Sequence, residues 1–155
     1  MSTVDELELA ERVARDVDDL DALEASVRRN KDARLTVGRL RRRRLAEAPS
    51  VRLSVAAKLL GLSVPTIRAW IDHGLLDEVR RVSPRRVTLA SVLEVRPIVR
   101  ELRALGRDRN LLEAVLARVE DERALSDRKL RKSLDEMRSG ELIDITPDAS
   151  ASGAA

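Results

Sequence analysis

Arg68 carries a planar fork of N–H donors, which matches the acceptors on the major-groove edge of guanine. Thr66 lies two residues before Arg68, and its hydroxyl can donate or accept a hydrogen bond. Helical spacing places four residues on the face opposite the apolar Ile67 and Trp70, namely Thr66, Arg68, Ala69 and Asp72. We interpret Thr66, Arg68 and Ala69 as a base-reading surface. The alternative is that Arg68 is an ordinary solvated helix residue.

Phosphate binding is the second chemistry that the arginines offer. Two pairs of arginines flank Ser83-Pro84. Because side chains alternate between the two faces of a strand, these arginines cannot all point inward. We therefore expect contacts to phosphate from Arg80, Arg81, Arg85 and Arg86. Ser63 is foremost a helix N-cap, and at a helix start it can also contact a phosphate. The run Arg41, Arg42, Arg43 and Arg44 either touches DNA non-specifically or balances the acidic segment 5–29. Both interpretations stay open.

Two short helices must position these side chains. Ser54 is expected to cap a helix over residues 55–60. The helix is expected to end at Gly61, because the residue after a helix often adopts the left-handed conformation that glycine allows. Ser63 caps the second helix, and Gly74 closes it. The sequence therefore predicts two helices joined by a tight glycine turn.

The spacing across that turn is typical of a helix-turn-helix. The motif has a small residue at Ala57, a glycine four positions later at Gly61 and an apolar residue six positions after that, at Ile67. Two strand-like runs come next, Val79–Val82 and Arg86–Leu89, with a proline turn between them. The pattern predicts a basic hairpin, or wing, after the helices.

Residues 53–93 resemble the winged helix-turn-helix of the MerR and excisionase-like group of bacterial DNA-binding proteins, on the run A-A-K-L-L-G-L-S-x-x-T-I-R-x-W-I-x-x-G-L-L. The resemblance implies that residues 63–72 enter the major groove and residues 79–89 lie along the phosphates. Val87 departs from the group, because many of its members have an aromatic residue in the wing. The layout of the whole chain is also similar to DNA-binding antitoxins of actinobacterial toxin–antitoxin operons.

Charge and periodicity organise the rest of the chain. Residues 1–26 contain nine acidic and two basic residues, whereas residues 27–45 contain nine basic residues and one acidic residue. A basic segment beside an acidic one points to a polyanionic partner. Apolar residues at helical steps predict a helix over residues 5–29, and Ala48-Pro49-Ser50 is taken as a domain boundary. The predicted parts are residues 1–48, 50–106, 107–147 and 148–155.

The C-terminal arm, residues 107–147, is expected to hold two separate helices followed by an extended segment. Asn110 is taken as the N-cap of the first helix and Ser126 as that of the second. Residues 141–146 look extended, and the small polar tail from residue 148 is expected to be disordered.

Composition narrows the function classes. The chain has no cysteine and one histidine, which removes disulfides, thiol nucleophiles and multi-histidine metal sites. His73 is interpreted as a helix C-terminal cap and not as a ligand or a base. We expect no catalysis, cofactor or metal, because the sequence shows no glycine-rich phosphate loop and no nucleophile with a histidine partner. With no apolar run of about 18 residues, the expected location is the cytoplasm, at the nucleoid.

These observations predict a mainly α protein with a winged helix-turn-helix that binds double-stranded DNA as a transcriptional repressor. A homodimer through the apolar stripe of residues 5–29 is expected, since one recognition helix reads only a few base pairs. A partner protein such as a toxin would bind apolar residues of the arm, namely Leu130, Leu134, Met137, Leu142 and Ile145. The alternatives are an excisionase-like or architectural DNA-binding protein and a protein-interaction module that binds no DNA.

Overall fold

A computed structural model describes residues 1–139, of which 73% lie in six helices, with one small antiparallel sheet. In chain order the elements are α1 (Thr3–Ser26), α2 (Lys31–Ala46), β1 (Ser50–Arg52), α3 (Leu53–Leu60), α4 (Val64–Asp72), β2 (Arg86–Thr88), α5 (Leu89–Ala104) and α6 (Leu111–Arg138). The mainly helical class expected from the sequence is confirmed. No helix among the described residues is long and apolar enough to cross a membrane.

Helix α1 begins at a capping box in which the Ser2 hydroxyl accepts from the Asp5 N–H at 3.1 Å and the Asp5 carboxylate accepts from the Ser2 N–H at 3.0 Å. Its buried face is apolar except for Glu6, and the apolar residues there are Ala10, Val13, Ala14 and Val17. The predicted helix over residues 5–29 is thus present, but it begins two residues earlier and ends three residues earlier than predicted.

The arginine run 41–44 lies inside α2, although its mutual repulsion argues against an unsupported helix. Helix α2 packs along α1, and two of the arginines reach carboxylates of α1. Arg41 Nε lies 2.6 Å from an Asp21 oxygen, and Arg44 Nη2 lies 2.6 Å from an Asp16 oxygen. The acidic helix neutralises part of the run, which allows it to stay helical.

The sheet differs from the predicted hairpin. Strand β2 pairs with β1, with Val51 opposite Val87, and both valines are fully buried. Residues 79–82 form no strand, because Arg81 adopts a left-handed φ of 61°. An isolated bridge from Glu78 to Val87 ties the residues at the start of this run to β2, with the Val79 N–H donating to Arg86 O and the Thr88 N–H to Asp77 O, both at 2.9 Å. The strand partner of β2 therefore comes from before α3 and not from the adjacent run.

Helix α3 begins after Arg52, which caps it without a side-chain hydrogen bond, so the expected cap at Ser54 is wrong. Ser54 lies one residue into the first turn. Gly61 ends α3 at φ 62°, and Ser63 caps α4, as predicted. His73 is the C-cap residue of α4, and its backbone N–H donates to Ala69 O at 3.0 Å.

Residues 1–116 form one compact unit, so the expected boundary at residues 48–50 does not separate compact units. The physical reason is that α1 packs on α3 and α5 as well as on α2. The largest fully buried side chain is Trp70, and Ile67, Leu60 and Leu89 are buried with it. The apolar stripe of α1, expected as a dimer surface, is used in part inside the chain, since Val13 and Val17 are buried there, whereas Leu23 is exposed.

Helix α6 is one element of 28 residues, whereas the sequence predicts two helices with a cap at Ser126. Ion pairs at i, i+4 spacing lie on either side of Ser126, from Arg118 to Glu122 at 3.4 Å and from Lys132 to Glu136 at 3.9 Å. Asn110 precedes the helix with a φ of 57°. The segments expected to be extended (141–146) and disordered (from 148) lie outside the described residues.

Candidate nucleic-acid interface

The outward face of α4 is fixed by how the helix is capped and anchored. Ser63 Oγ accepts from the Thr66 N–H at 3.3 Å, and the two hydroxyls lie 2.7 Å apart. Ile67 and Trp70 are fully buried and anchor the opposite side. Thr66 and Ala69 are half-buried, while Arg68 and Asp72 are exposed. The expected polar face is present, with the Thr66 hydroxyl partly engaged by Ser63.

Arg68 has no ion-pair or hydrogen-bond partner among residues 1–139. It lines a surface groove together with Arg52, Ser54, Val64, Pro84 and Arg85. The groove therefore brings the exposed face of α4, the start of α3 and the segment before β2 to one concave surface. The full N–H fork of Arg68 is available to a ligand in that groove.

Arg85 lies in the same groove with its guanidinium occupied. Its Nε donates to Glu78 Oε1 at 2.6 Å and its Nη2 donates to Glu78 Oε2 at 3.1 Å. Hydrogen bonding from Arg85 lowers the pKa of Glu78, and Glu78, with a smaller contribution from Asp72, raises the pKa of Arg85. A phosphate would have to share or displace this carboxylate.

Arg80 and Arg81 are exposed and have no acidic partner in the described part of the chain. Both precede the Ser83-Pro84 turn, which places them on the segment that also carries Arg85. Of the four arginines expected to contact phosphate, these two are the ones whose donors are unoccupied.

Arg86 is turned into the molecule, contrary to its expected role in phosphate contact. Its Nη2 donates to Glu6 Oε1 and, at 2.8 Å, to Ser50 O, and its Nε donates to Ser50 Oγ at 3.0 Å. Glu6 is only 4% exposed, so a buried carboxylate holds the guanidinium. Arg86 anchors β2 to α1 and is not available on the groove surface.

The arginine run of α2 divides into two kinds. Arg41 and Arg44 form the ion pairs with α1, which favours the interpretation that they balance the acidic helix. Arg42 and Arg43 are exposed. Asp18 of α1 faces further arginines from α5, with Arg96 at 3.2 Å. The acidic and basic segments thus neutralise each other in part, and the excess of basic residues overstates the positive charge available to a polyanion.

Sequence reasoning missed Arg103, which supports the turn between α3 and α4. Its Nη1 and Nη2 donate to Leu60 O and Gly61 O, both at 2.7 Å, and so satisfy carbonyls at the end of α3. Arg52 was also missed, and its backbone N–H donates to Glu6 Oε2 at 3.3 Å. No spacing in the sequence signals these contacts, since the partners lie more than 40 residues apart.

Three residues of the expected partner surface are exposed on α6, with exposed fractions of 60% for Leu130, 43% for Leu134 and 57% for Met137. Leu142 and Ile145 lie outside the described residues. No group of three or more histidine or acidic side chains is arranged to hold a metal ion within residues 1–139.

Comparison with known proteins identifies no family for this chain. No protein-family model, curated protein or solved structure matches the chain.

Proposed function

We propose that this protein is a sequence-specific DNA-binding transcriptional regulator, in which α3 and α4 act as a helix-turn-helix and residues 77–88 act as a short wing. The resemblance of residues 53–93 to MerR and excisionase-like proteins supports this proposal. The groove shared by α4 and the segment before β2 supports it independently.

The single observation that carries the proposal is the unpaired Arg68 on the outer face of α4. Eight of the guanidinium groups in residues 1–116 are paired with carboxylates, yet Arg68 has no partner among the described residues. The weakest of these eight contacts are those of Arg100, at 3.4 Å, and of Arg52 and Arg103, both at 3.9 Å. An α-helix with its side chains is about 10–12 Å across and fits a major groove about 12 Å wide. Arg68 would then read a guanine, with Thr66 beside it.

Arg80 and Arg81 would supply contacts to the phosphate backbone. Phosphate contacts fix the position of a protein on the duplex, whereas base contacts specify the sequence. Asp72 and Glu78 lie near the same groove, where Glu78 holds Arg85. Their negative charge lowers the attraction for arbitrary DNA, which makes the protein depend more strongly on the base contacts of α4.

The experiment is a binding titration with a fluorescent duplex from the region upstream of the protein's own gene. The proposal predicts tighter binding to this duplex than to a shuffled duplex of equal length, with affinity falling as salt rises. Equal affinity for the two duplexes at every salt concentration would contradict sequence-specific regulation. Absence of binding to either duplex would favour a protein-interaction module.

An antitoxin role would add a toxin as the partner of the C-terminal arm, and it stays a separate prediction. Truncation after Arg123 would then leave DNA binding intact but abolish capture of the product of the adjacent gene. The exposure of Leu130, Leu134 and Met137 is compatible with a protein partner, but it does not distinguish a toxin from a second copy of this chain.

A further inference from the structure

Helix α6 carries one straight apolar stripe that is distinct from its buried side. Six apolar residues of α6 fall within about 40° of one line along the helix, because successive members are three, four or eleven positions apart. They are Leu112, Leu116, Val119, Leu130, Leu134 and Met137. Leu111 and Val115, which are buried, lie off this line. Leu112, Leu116 and Val119 of the stripe are half-buried, whereas Leu130, Leu134 and Met137 are exposed, so the stripe is most open towards the C-terminal end of α6.

Within residues 1–139, nothing covers a long stretch of α6. Every residue from 117 to 139 is exposed except Val119, which is half-buried. A lone helix in water gains little from propensity and is stabilised mainly by burying an apolar face. An apolar stripe along such a helix calls for a partner.

We propose that α6 pairs antiparallel with α6 of a second copy of this chain. Reversing the helix against itself brings the stripe onto itself. Val119 then lies opposite Leu130 of the second copy and Leu112 opposite Met137, and these two pairs share one register. In that register Leu116 and Leu134 lie within one residue of facing each other, and symmetry repeats each contact. The pairing does not depend on DNA binding.

The same register brings opposite charges together along one flank of the stripe. In an antiparallel pair each flank faces its own reversed copy. On one flank Glu122 meets Lys129, whereas on the other flank Glu120 lies between Arg131 and Asp127 of the second copy, at equal axial offsets. Glu122 also lies 3.4 Å from Arg118 in its own helix, which leaves a second carboxylate oxygen for a partner. The complementarity of Glu122 and Lys129, which symmetry repeats, is the charge contact that favours this register.

A parallel pair lacks this complementarity. It places Arg123, which lies in the middle of the stripe, against Arg123 of the other copy, and it brings Glu122 towards Asp127. In the antiparallel register Arg123 lies opposite Ser126. A polar layer at the centre of an apolar seam also fixes the register, because a shifted pairing would bury the arginine among leucines.

Single cysteines test the orientation directly, since the natural chain contains none. The full-length variants V119C and L130C are oxidised separately and as a mixture that has been unfolded and refolded together. In the antiparallel register positions 119 and 130 are opposite, whereas two copies of position 119 lie about 16 Å apart, too far for a disulfide. We expect a cross-linked dimer from the mixture and none from either variant alone.

Other outcomes overturn the proposal. Cross-linking of each variant alone would show parallel pairing. A wild-type chain that sediments as a monomer at 100 μM would show that no second copy covers the stripe. A monomer that binds the product of an adjacent gene through Leu130 and Leu134 would assign the stripe to that protein instead.

Charge reversal gives a second measurement that does not require cysteine. E122K and K129E should each weaken the dimer about tenfold, because two symmetric attractions become repulsions. An equimolar mixture of the two variants, and the double variant, should recover wild-type affinity. Arg128→Glu is the matched control, since it changes the charge equally on the outer face of α6 and should leave the dimer unchanged. Equal weakening by all three single variants would contradict the register.

Discussion

Glu6 of α1 and Arg86 of β2 form an ion pair between residues 80 positions apart, and it ties the N-terminal helix to the second strand of the sheet. Glu6 is 4% exposed, and Arg52 of β1 also donates to it. Arg52 and Arg86 lie opposite each other in the strand register. One carboxylate thus holds both strands of the sheet that flanks the candidate interface.

Glu6→Ala should lower the free energy of unfolding by about 3 kcal/mol, because it leaves Arg86 and the Arg52 N–H without their acceptor. Urea denaturation followed by the fluorescence of Trp70, the single tryptophan and a fully buried one, measures the change. Glu8→Ala is the control, since Glu8 is exposed on the same helix and its loss should change stability by less than about 0.5 kcal/mol. Equal effects of the two variants would show that the buried pair adds nothing.

Gly61→Ala should destabilise the protein by about 1–2 kcal/mol. Gly61 has a φ of 62°, which costs an L-residue with a side chain about 1 kcal/mol or more. An added Cβ would also lie 2.7 Å from Arg103 Nη1 and push that side chain off the carbonyls it satisfies. The same denaturation assay applies. Gly106→Ala is a useful comparison, since it has a φ of 72° with nothing within 4 Å, and so isolates the backbone cost.

The pKa of the Glu78 carboxyl should lie below the ordinary glutamate value and rise towards it in Arg85→Ala. A carboxylate whose pKa is lowered on folding stabilises the folded state above its unfolded pKa. That contribution is lost as pH falls through the lowered folded value. NMR titration of the Glu78 side chain in both proteins measures the shift, and identical midpoints would contradict the pairing.

Glu78→Gln should tighten DNA binding at neutral pH, since it removes a negative charge from the groove and loosens its hold on Arg85. Binding titrations on the upstream duplex measure the effect, with Glu94→Gln as an exposed control outside the groove. Weaker binding by Glu78→Gln would mean that the Glu78–Arg85 pair orients the arginine for DNA instead of competing with it.

Arg80→Ala and Arg81→Ala should each weaken binding to all duplexes alike and lower the salt slope by about one unit. Arg86→Ala should behave differently, because its guanidinium is held inside the molecule. It should reduce stability and leave the salt slope of the folded protein unchanged. A salt slope lowered by Arg86→Ala, with stability intact, would place Arg86 on the DNA after all.

Local signals in the sequence predicted the helices and turn around the candidate site. The cap at Ser63, the left-handed Gly61 and the buried pair Ile67 and Trp70 all follow from residue type and spacing, and the structure confirms them. Such features depend on neighbours within a few residues, which a single sequence displays. The outward face of α4 could therefore be predicted as well.

Long-range pairings could not be predicted in this way. The partner of β2 is a three-residue strand before α3, too short to show alternation. Arg86 and Arg85 are adjacent and of one type, yet one is held by Glu6 and the other lies in the groove. Only tertiary contacts decide between them. Nor does the sequence distinguish Glu6 from the other eight acidic residues of segment 1–26, although Glu6 is buried.

The central claim is that Arg68 reads a base, and comparing Arg68→Ala with Arg12→Ala tests it most directly. Arg12 is exposed on α1 without a partner among the described residues, so the two variants lose the same charge. On the upstream duplex at fixed salt, Arg68→Ala should lose about 1–3 kcal/mol of binding free energy and its preference at one base pair. Arg12→Ala should bind as the wild type does. Wild-type affinity and sequence preference in Arg68→Ala would contradict the account.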